Sequence, residues 1–266
     1  FEVTYLDVNE HGTIQLDILK QAIRPTTILA SIHHGNGEIG TVQPLEEIGE
    51  ILKAHQIIFH SDCVQTYGEI KIDVKKCKVD SISVSSHKIY GPKGVGFCYI
   101  SPSVLWKSIY DGTTHEDGFR PGTVDVPSIV SFTAAAQHMM ETMEERAANY
   151  NQLRTLFLQD IKKLSDKIMV EQSLEAQLPQ IIGLTCLHVQ GQYMMLECNR
   201  HGICISTGSA CQVGMESPSR TMLAIGKSES EAKCFIRISL GSKTTKEELE
   251  RTVIVMERIF QSLPSL

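Results

Sequence analysis

A lysine flanked by small polar residues is the part of the sequence best suited to covalent chemistry. Lys88 lies in SSHKIYGPKG (residues 85–94), directly after an apolar strand pattern and before a Gly-Pro turn. A strand and a turn on either side fix the backbone that carries the amine, which suits a lysine that forms an imine. Taken alone, a lysine at a strand end is more often a solvated surface charge.

A carboxylate at the end of the neighbouring strand pattern strengthens the chemical interpretation. Asp62 lies in HSDCVQ (residues 60–65), where the strand pattern of residues 57–60 ends. A carboxylate held there can pair with a pyridinium nitrogen and keep it protonated, which makes the ring a better electron sink. Because parallel strands bind ligands beyond their C-terminal ends, we expect Asp62 and Lys88 to face one ligand.

The elements that position these residues alternate between strand and helix. Strand patterns cover residues 28–32, 57–60, 80–85 and 95–100, and Pro44 opens a helix with an apolar face. This alternation predicts an α/β fold with a mainly parallel sheet. The opening residues 3–6 are also strand-like, and they follow no starting Met, so we expect the chain to lack its N-terminal region.

The second half predicts a long helix followed by a smaller α+β domain. A helical pattern without Pro or Gly runs over residues 128–164, followed by strand, helix, short strand, helix, strand and helix at 183–189, 193–200, 203–206, 219–225, 235–240 and the C-terminus. Thr244 and Glu247 have capping-box spacing before the last helix. We predict a large domain at 1–127, a connecting helix at 128–165 and a small domain at 166–266.

Composition excludes several classes of function. The formal charge of -6 argues against a nucleic-acid surface, which would need clustered basic residues. No apolar run approaches the roughly 18 residues of a membrane span, and the first residues lack the layout of a signal peptide. We therefore expect a cytoplasmic protein with no membrane or nucleic-acid partner.

The eight cysteines predict reduced thiols, because they are scattered and include no Cys-x-x-Cys pair. Cys198, His201, Cys204 and Cys211 come nearest to a metal pattern. However, Cys204 lies in an alternating strand-like stretch and Cys198 ends an apolar helical run, so both are expected to be small core residues. We predict no metal site.

Five motifs resemble those of the group I cysteine desulfurases of the NifS and IscS type. The resemblance extends from Phe1 almost to the C-terminus, and its motifs are HSDCVQ (60–65), SSHKIYGPKG (85–94), RPGT (120–123), STGSAC (206–211) and RISLG (237–241). It implies fold type I of the pyridoxal-phosphate enzymes, with a large domain built on a mainly parallel sheet. It also implies a homodimer with sites near the subunit interface.

The resemblance assigns cofactor contacts to matching positions. Lys88 would be the Schiff-base lysine, Asp62 the partner of the pyridine nitrogen and Gln65 a hydrogen-bond donor to the ring hydroxyl. Ser85 and His87 resemble phosphate ligands. Three further positions complete the set implied for the cofactor and the substrate: Thr123 reaches the other subunit's site, Asn36 lies near the cofactor, and Arg237 grips the substrate carboxylate. The family pattern has a second Asn where this chain has Gly37.

Cys211 is the sulfur acceptor that the resemblance implies. It lies in TGSACQVG (residues 207–214), and small residues of this kind are typical of a mobile loop. The implied reaction converts L-cysteine to L-alanine and leaves sulfur on Cys211 as a persulfide, which an acceptor such as an iron-sulfur scaffold would take. A phosphate-binding loop and a stacking His of the family precede Phe1, so we expect these 266 residues alone to bind pyridoxal phosphate poorly.

Two kinds of alternative function remain open from the sequence. One is another enzyme of the same fold, such as a selenocysteine lyase, a cysteine sulfinate desulfinase or an aminotransferase. The residues around Cys211 favour the desulfurase, because transamination needs no thiol. The other is a catalytically inactive fragment that serves as a scaffold, since part of the family's cofactor site lies outside this sequence.

Overall fold

The computed structural model describes residues 1–112, 114–173, 175–208 and 218–263. The chain divides into two compact units. The first contains Phe1–Ala22, Gly35–Gln43 and Glu144–Leu266, and the second contains Ile23–His34 and Pro44–Met143. The domain limits predicted at residues 127 and 165 stay a prediction.

The second unit is built on a four-stranded sheet. Its strands are β1 (Leu29–His33), β2 (Ile58–Asp62), β3 (Ser81–Ser85) and β4 (Gly96–Ile100), in the order β1-β2-β3-β4. The first three strands are parallel, as predicted, while β4 runs antiparallel to β3. The connection between β3 and β4 is too short for a parallel crossover, which needs a dozen or more residues.

Two helices of this unit begin directly after residues that favour a helix start. Helix α2 (Leu45–Ala54) follows Pro44 and buries Leu45, Ile48 and Leu52. Helix α3 (Val126–Glu141) begins after Asp125, whose side chain accepts a hydrogen bond from the Ser128 amide. A carboxylate at this position satisfies an otherwise unpaired amide of the first turn.

The uninterrupted helix predicted over residues 128–164 is wrong. Helix α3 ends at Glu141, and α4 (Met143–Ile161) begins after Thr142. The Thr142 hydroxyl donates a hydrogen bond to the His138 carbonyl at 2.8 Å. Thr142 itself has a φ of -103° and a ψ of 5°, outside the helical region, so the break occurs without Pro or Gly.

The first unit contains a three-stranded antiparallel sheet. Its strands β5 (Ile168–Glu171), β6 (Ile181–Cys186) and β7 (Phe235–Ser239) lie in the order β5-β6-β7. The remaining helices of the unit, apart from α4, are α1 (Leu16–Ala22), α5 (Gly191–Arg200), α6 (Arg220–Ala224), α7 (Glu229–Lys233) and α8 (Lys246–Ser262).

Apolar residues of α4, β6 and α8 form the main core of the first unit. Every residue of β6 is buried, and Ile182 and Leu184 pack with Tyr150 and Phe157 of α4. Full burial of one such side chain stabilises the fold by about 1.5–3 kcal/mol. The continuous burial of β6 follows from packing on both of its faces, which gives an apolar run in place of alternation.

Three local predictions require correction. Residues 3–6 form no strand, and Val3 and Tyr5 are exposed. Residues 203–206 form only an isolated bridge between Ser206 and Arg237. The cap of α8 is shifted by one residue, because Thr245 and Glu248 make the capping box and the Thr244 hydroxyl accepts from the Gly241 amide instead.

The cysteines of the candidate metal pattern differ in burial. Cys198 is buried in the core of the first unit, as predicted, whereas Cys204 is exposed, so its assignment to the core is wrong. Without a strand at 203–206, nothing turns the Cys204 side chain inward. Among residues 1–112, 114–173, 175–208 and 218–263, no group of three or more His, Cys, Asp or Glu side chains is arranged for a metal ion. No helix in these ranges is long and apolar enough to cross a membrane.

Candidate functional site

The turn that carries Lys88 is fixed by backbone hydrogen bonds and by one buried side chain. A short 3-10 helix, Ser86–Lys88, follows β3 directly. The amides of Ile89 and Gly91 both donate to the Ser86 carbonyl at 3.0 Å, and Ile89 is buried. The Lys88 side chain is exposed, so a rigid backbone presents an amine that a ligand can reach.

The same turn contains two signs of local constraint. Tyr90 has a φ of 64°, a left-handed conformation that is uncommon for a bulky residue. A Cβ added to Gly91 would lie 2.0 Å from the Ser86 Oγ, so only glycine fits at this position without a shift. Backbone held in a sparsely populated conformation is frequent at functional sites, where surrounding contacts maintain it.

Ser85 and His87 form a polar pair at the end of β3. The Ser85 Oγ lies 2.8 Å from the His87 Nδ1 in a hydrogen bond. Ser85 is half-buried, and His87 is exposed. A hydroxyl and an imidazole on either side of the β3 end are groups that can donate to phosphate oxygens.

Asp62 lies at the same edge of the sheet. The strand register pairs it with His33 of β1 and with Ser83 of β3, two residues before Ser85. Its carboxylate accepts a hydrogen bond from the Val64 amide at 2.9 Å and is exposed. The structure therefore brings Asp62 and the segment of Ser85 to Lys88 to the C-terminal edge of the parallel strands, where open α/β sheets bind ligands.

Gln65 and His34 follow strands that end at this edge, and the predicted site residue Thr123 belongs to the same unit. Gln65 is half-buried, three residues after Asp62. Thr123 is exposed in the segment before α3. His34 follows β1, its amide donates to the Asp62 carbonyl at 2.8 Å, and burial lowers the pKa of its imidazole to about 4. A neutral imidazole is therefore expected at this edge at neutral pH.

In the first unit, Arg237 has donors that are only partly used. Its Nη1 donates to the Gly37 carbonyl at 2.9 Å, while its buried Nε has no hydrogen-bond partner among the described residues. Burial lowers the pKa of Arg237, and the Glu38 carboxylate nearby opposes that shift. A half-buried guanidinium with an unused donor suits a carboxylate ligand, which can accept two parallel hydrogen bonds.

Asn36 organises its own turn in the same unit. Its Oδ1 accepts from the amides of Glu38 at 2.8 Å and Ile39 at 3.0 Å, and its Nδ2 donates to the Thr221 hydroxyl at 3.4 Å. These bonds explain why an Asn is found at this position. Its predicted contact with a cofactor stays a prediction.

Comparisons with known proteins agree on one family. The model of the aminotransferase class-V family matches residues 1–252. A NifS relative from Bacillus subtilis (strain 168) is 49% identical over 253 residues, which are 94% of this chain and 64% of the relative. The cysteine desulfurase IscS of Dictyoglomus turgidum (strain DSM 6724 / Z-1310) is 37% identical over 266 residues, which are 100% of this chain and 68% of that protein.

The chain belongs to the aminotransferase class-V family and, within it, to the NifS/IscS cysteine desulfurases. A solved NifS-like protein agrees in structure, with a TM-score of 0.90 and 31% identity over 99% of this chain and 69% of that one. The predicted fold type I is thereby confirmed. The chain spans about two thirds of the length of the relatives that it matches.

The class-V aminotransferases use pyridoxal phosphate, and the residues at the C-terminal edge of the sheet fit that group. Lys88 offers an exposed amine, Asp62 an exposed carboxylate, and the Ser85–His87 pair offers donors for a phosphate. The specific role of each predicted site residue stays a prediction. Cys211 lies outside the described residues, so its surroundings cannot be added to this site.

Two polar residues of the first unit were missed by the sequence analysis. Glu38 is buried, and its carboxylate accepts a hydrogen bond from the Ser219 hydroxyl at 2.5 Å. A glutamate inside NGEIG (residues 36–40) was visible as part of a turn, but its partner lies 181 residues further along the chain. Only the fold reveals a contact over that distance.

Proposed function

We propose that the protein is a cysteine desulfurase that converts L-cysteine to L-alanine and places the sulfur on Cys211. One observation supports this proposal: Lys88 and the Ser85–His87 pair belong to the turn directly after β3, and Asp62 ends the neighbouring strand β2. Membership of the NifS/IscS family supports it. A solved relative, SspA in complex with cysteine, is 33% identical over 90% of this chain with a TM-score of 0.72.

Five residues of the second unit would hold pyridoxal phosphate. Lys88 would bind it covalently through its amine, and Asp62 would accept a hydrogen bond from the ring nitrogen. Ser85 and His87 would donate to the phosphate, and Gln65 would donate to the ring hydroxyl. When bound, the cofactor withdraws electrons from the carbon atoms of the attached amino acid.

Arg237 would orient the substrate by its carboxylate. Its Nη1 donates to the Gly37 carbonyl, and its buried Nε has no hydrogen-bond partner among the described residues. A planar guanidinium binds a carboxylate in two parallel hydrogen bonds and therefore fixes orientation as well as position.

Cys211 would supply the nucleophile for sulfur transfer. Its thiolate forms a bond to the substrate sulfur as the bond between that sulfur and the substrate Cβ breaks. The electron pair of the broken bond stays with the carbon skeleton, which takes up protons and leaves as alanine. The persulfide remains on Cys211. A thiolate is required because the thiol form is a poor nucleophile.

The partners of the complete protein follow from the same proposal. We infer a cytoplasmic homodimer in which Thr123 of one subunit contributes to the site of the other, and in which Asn36 lies near the cofactor. The persulfide would pass to an acceptor protein such as an iron-sulfur scaffold, which places the enzyme in iron-sulfur cluster or thio-cofactor assembly.

Chemical labelling tests the role of Lys88. The full-length protein, loaded with pyridoxal phosphate, is reduced with borohydride, digested and mapped by mass spectrometry. We expect the pyridoxyl label on Lys88, because the turn after β3 holds its amine at the sheet edge. Lys93 is a matched control, since it is an exposed lysine of the same motif. Labelling that follows Lys93, or that survives Lys88→Ala, would contradict the assignment.

A further inference from the structure

A short turn in the first unit holds Glu38 in a defined position. Gly35 and Val42 form a β-bridge, and the Asn36 amide donates to the Thr41 carbonyl at 2.8 Å. The Asn36 side chain closes the turn from inside by accepting from two of its amides. Ile39, which follows Glu38, is 1% exposed within a small apolar cluster. The backbone of Glu38 is therefore fixed on both sides.

The Glu38 carboxylate bonds a residue that also caps a helix. The Ser219 hydroxyl donates to Glu38 Oε2 and accepts from the Met222 amide at 3.1 Å, which makes Ser219 the N-cap of α6. Glu38 is 8% exposed and Ser219 is 5% exposed. A charge-assisted hydrogen bond between two buried groups is stronger than a neutral one at the surface.

Gly208 approaches the same carboxylate from another part of the chain. Its φ is 62°, and a Cβ at this position would lie 3.6 Å from Glu38 Oε2 and 3.7 Å from the Ser219 Cβ. Gly208 and Ser219 flank residues 209–218, which include Cys211. Glu38 therefore lies where the two flanks of the segment that carries Cys211 come together.

The turn of Glu38 also supports the arginine proposed to bind substrate. The Gly37 carbonyl accepts from Arg237 Nη1, and the amide of Arg237 donates to the Ser206 carbonyl at 2.6 Å. Ser206 lies two residues before Gly208. One turn thus contacts the strand of Arg237 and both flanks of the Cys211 segment, although it lies far from all of them in sequence.

We propose that Glu38 is a positioning residue for sulfur transfer: its hydrogen bond to Ser219 fixes the flanks of the Cys211 segment relative to Arg237. This inference rests on the proposed desulfurase function. Glu38 itself touches no reacting atom. Its loss therefore slows the attack of Cys211 on the substrate sulfur more than it weakens the binding of L-cysteine.

A double-mutant cycle on the protein loaded with pyridoxal phosphate tests the inference. The variants are Glu38→Ala, Ser219→Ala and the double substitution, and two quantities are measured for each. The first is the single-turnover rate at which sulfur appears on Cys211, followed by mass spectrometry. The second is the dissociation constant for L-cysteine, followed by the change in cofactor absorption.

Each single substitution is expected to slow sulfur transfer about tenfold to a hundredfold, the range of one charge-assisted hydrogen bond. The double substitution is expected to be no slower than the slower single one, because both remove the same bond. The dissociation constant is expected to change by less than about threefold, within the scatter of independent sites. Ser219→Thr, which keeps the hydroxyl, should restore most of the rate.

Ser228→Ala is the control for the loss of a helix cap. Ser228 is the N-cap of α7 and bonds Glu231, but it does not contact Glu38 among the described residues. Its substitution should leave sulfur transfer unchanged. If Glu38→Ala does not fold, Glu38→Leu, which keeps most of the volume and removes the acceptor, takes its place in the cycle.

Four results separate failure of the inference from failure of the proposed function. The role of Glu38 would be overturned if the two single losses of transfer rate multiply in the double variant. It would also be overturned if Ser228→Ala slows sulfur transfer as much as Ser219→Ala does. A large rise in the dissociation constant with an unchanged transfer rate would also overturn it. If the unsubstituted protein places no sulfur on Cys211, the proposed desulfurase function itself is wrong.

Discussion

Substitution of Gly91 by alanine tests whether steric fit at the Lys88 turn holds its geometry. The added Cβ would lie 2.0 Å from the Ser86 Oγ, 3.1 Å from the Ser86 carbonyl oxygen and 3.3 Å from the Ser86 Cβ. The φ of Gly91 is not in the left-handed region, so alanine meets no backbone strain there. The expected damage therefore comes mainly from the contact with the Ser86 Oγ, the closest of the three atoms.

The size of the effect follows from the burial of Ser86. Its hydroxyl is fully buried and has no hydrogen-bond partner among the described residues. Overpacking of this kind destabilises a protein by about 1–3 kcal/mol. Ser86→Ala removes the clashing atom and an unpaired polar group, so it should be close to neutral alone, within about 1 kcal/mol. In that background, Gly91→Ala should lose most of its destabilising effect.

Urea unfolding of the four proteins gives the coupling between the two positions. We expect a coupling free energy of about 1–2 kcal/mol in favour of the double variant. The yield of borohydride labelling at Lys88 should fall in Gly91→Ala and recover in the double variant. If Gly91→Ala is equally destabilising with and without the Ser86 hydroxyl, the steric account of the turn is wrong.

Three other predictions address the titration of a buried imidazole, a helix cap and the substrate carboxylate. Burial lowers the pKa of His34 from 6.5 to about 4, so the unfolded chain takes up a proton at a higher pH than the folded protein does. The free energy of unfolding should therefore be highest above pH 6.5 and fall by about 3 kcal/mol as the pH drops toward 4. Urea unfolding should show this loss relative to His34→Leu. Thr245→Ala should destabilise the protein by about 1 kcal/mol in thermal unfolding, while Thr245→Ser should not. Arg237→Lys should raise KM for L-cysteine at least about tenfold with a smaller change in kcat, because lysine cannot bind a carboxylate in two parallel bonds; an unchanged KM would contradict the role of Arg237.

The parallel sheet could be predicted because its strands are short apolar runs separated by turn residues. Strands β2 and β3 end at Asp62 and shortly before Lys88, so the sequence pattern was sufficient to predict both residues at one edge. Short elements were harder to predict from the sequence. Strand β5 and helix α7 have four and five residues, too few to show a period.

Other errors arose where the sequence is compatible with two local structures. Thr244 and Thr245 are each followed three residues later by a glutamate, so either pair could form the capping box of α8. The break after α3 lies at Thr142, and no Gly or Pro marks it in the sequence. Periodicity does not distinguish such cases, because hydrogen bonds between particular atoms decide them.

The role inferred for Glu38 could not have been found from sequence. Its partner Ser219 and its neighbour Gly208 are distant along the chain, and no motif links them. Arg237 was predicted by resemblance alone, and the structure adds that its buried Nε has no hydrogen-bond partner among the described residues. Contacts between distant segments are set by the packing of whole elements, which local patterns do not encode.

The central claim is that sulfur from L-cysteine becomes bound to Cys211. The most direct measurement is mass spectrometry of the peptides after one turnover, together with sulfide and alanine release by the unsubstituted protein and by Cys211→Ser. We expect one extra sulfur on the Cys211 peptide and loss of both products in the variant, while cofactor absorption stays nearly unchanged. Cys63 is poorly suited to accept the sulfur in place of Cys211, because burial raises the pKa of its thiol to about 11. Normal turnover by Cys211→Ser, or added sulfur on Cys63 or the exposed Cys204, would contradict the account.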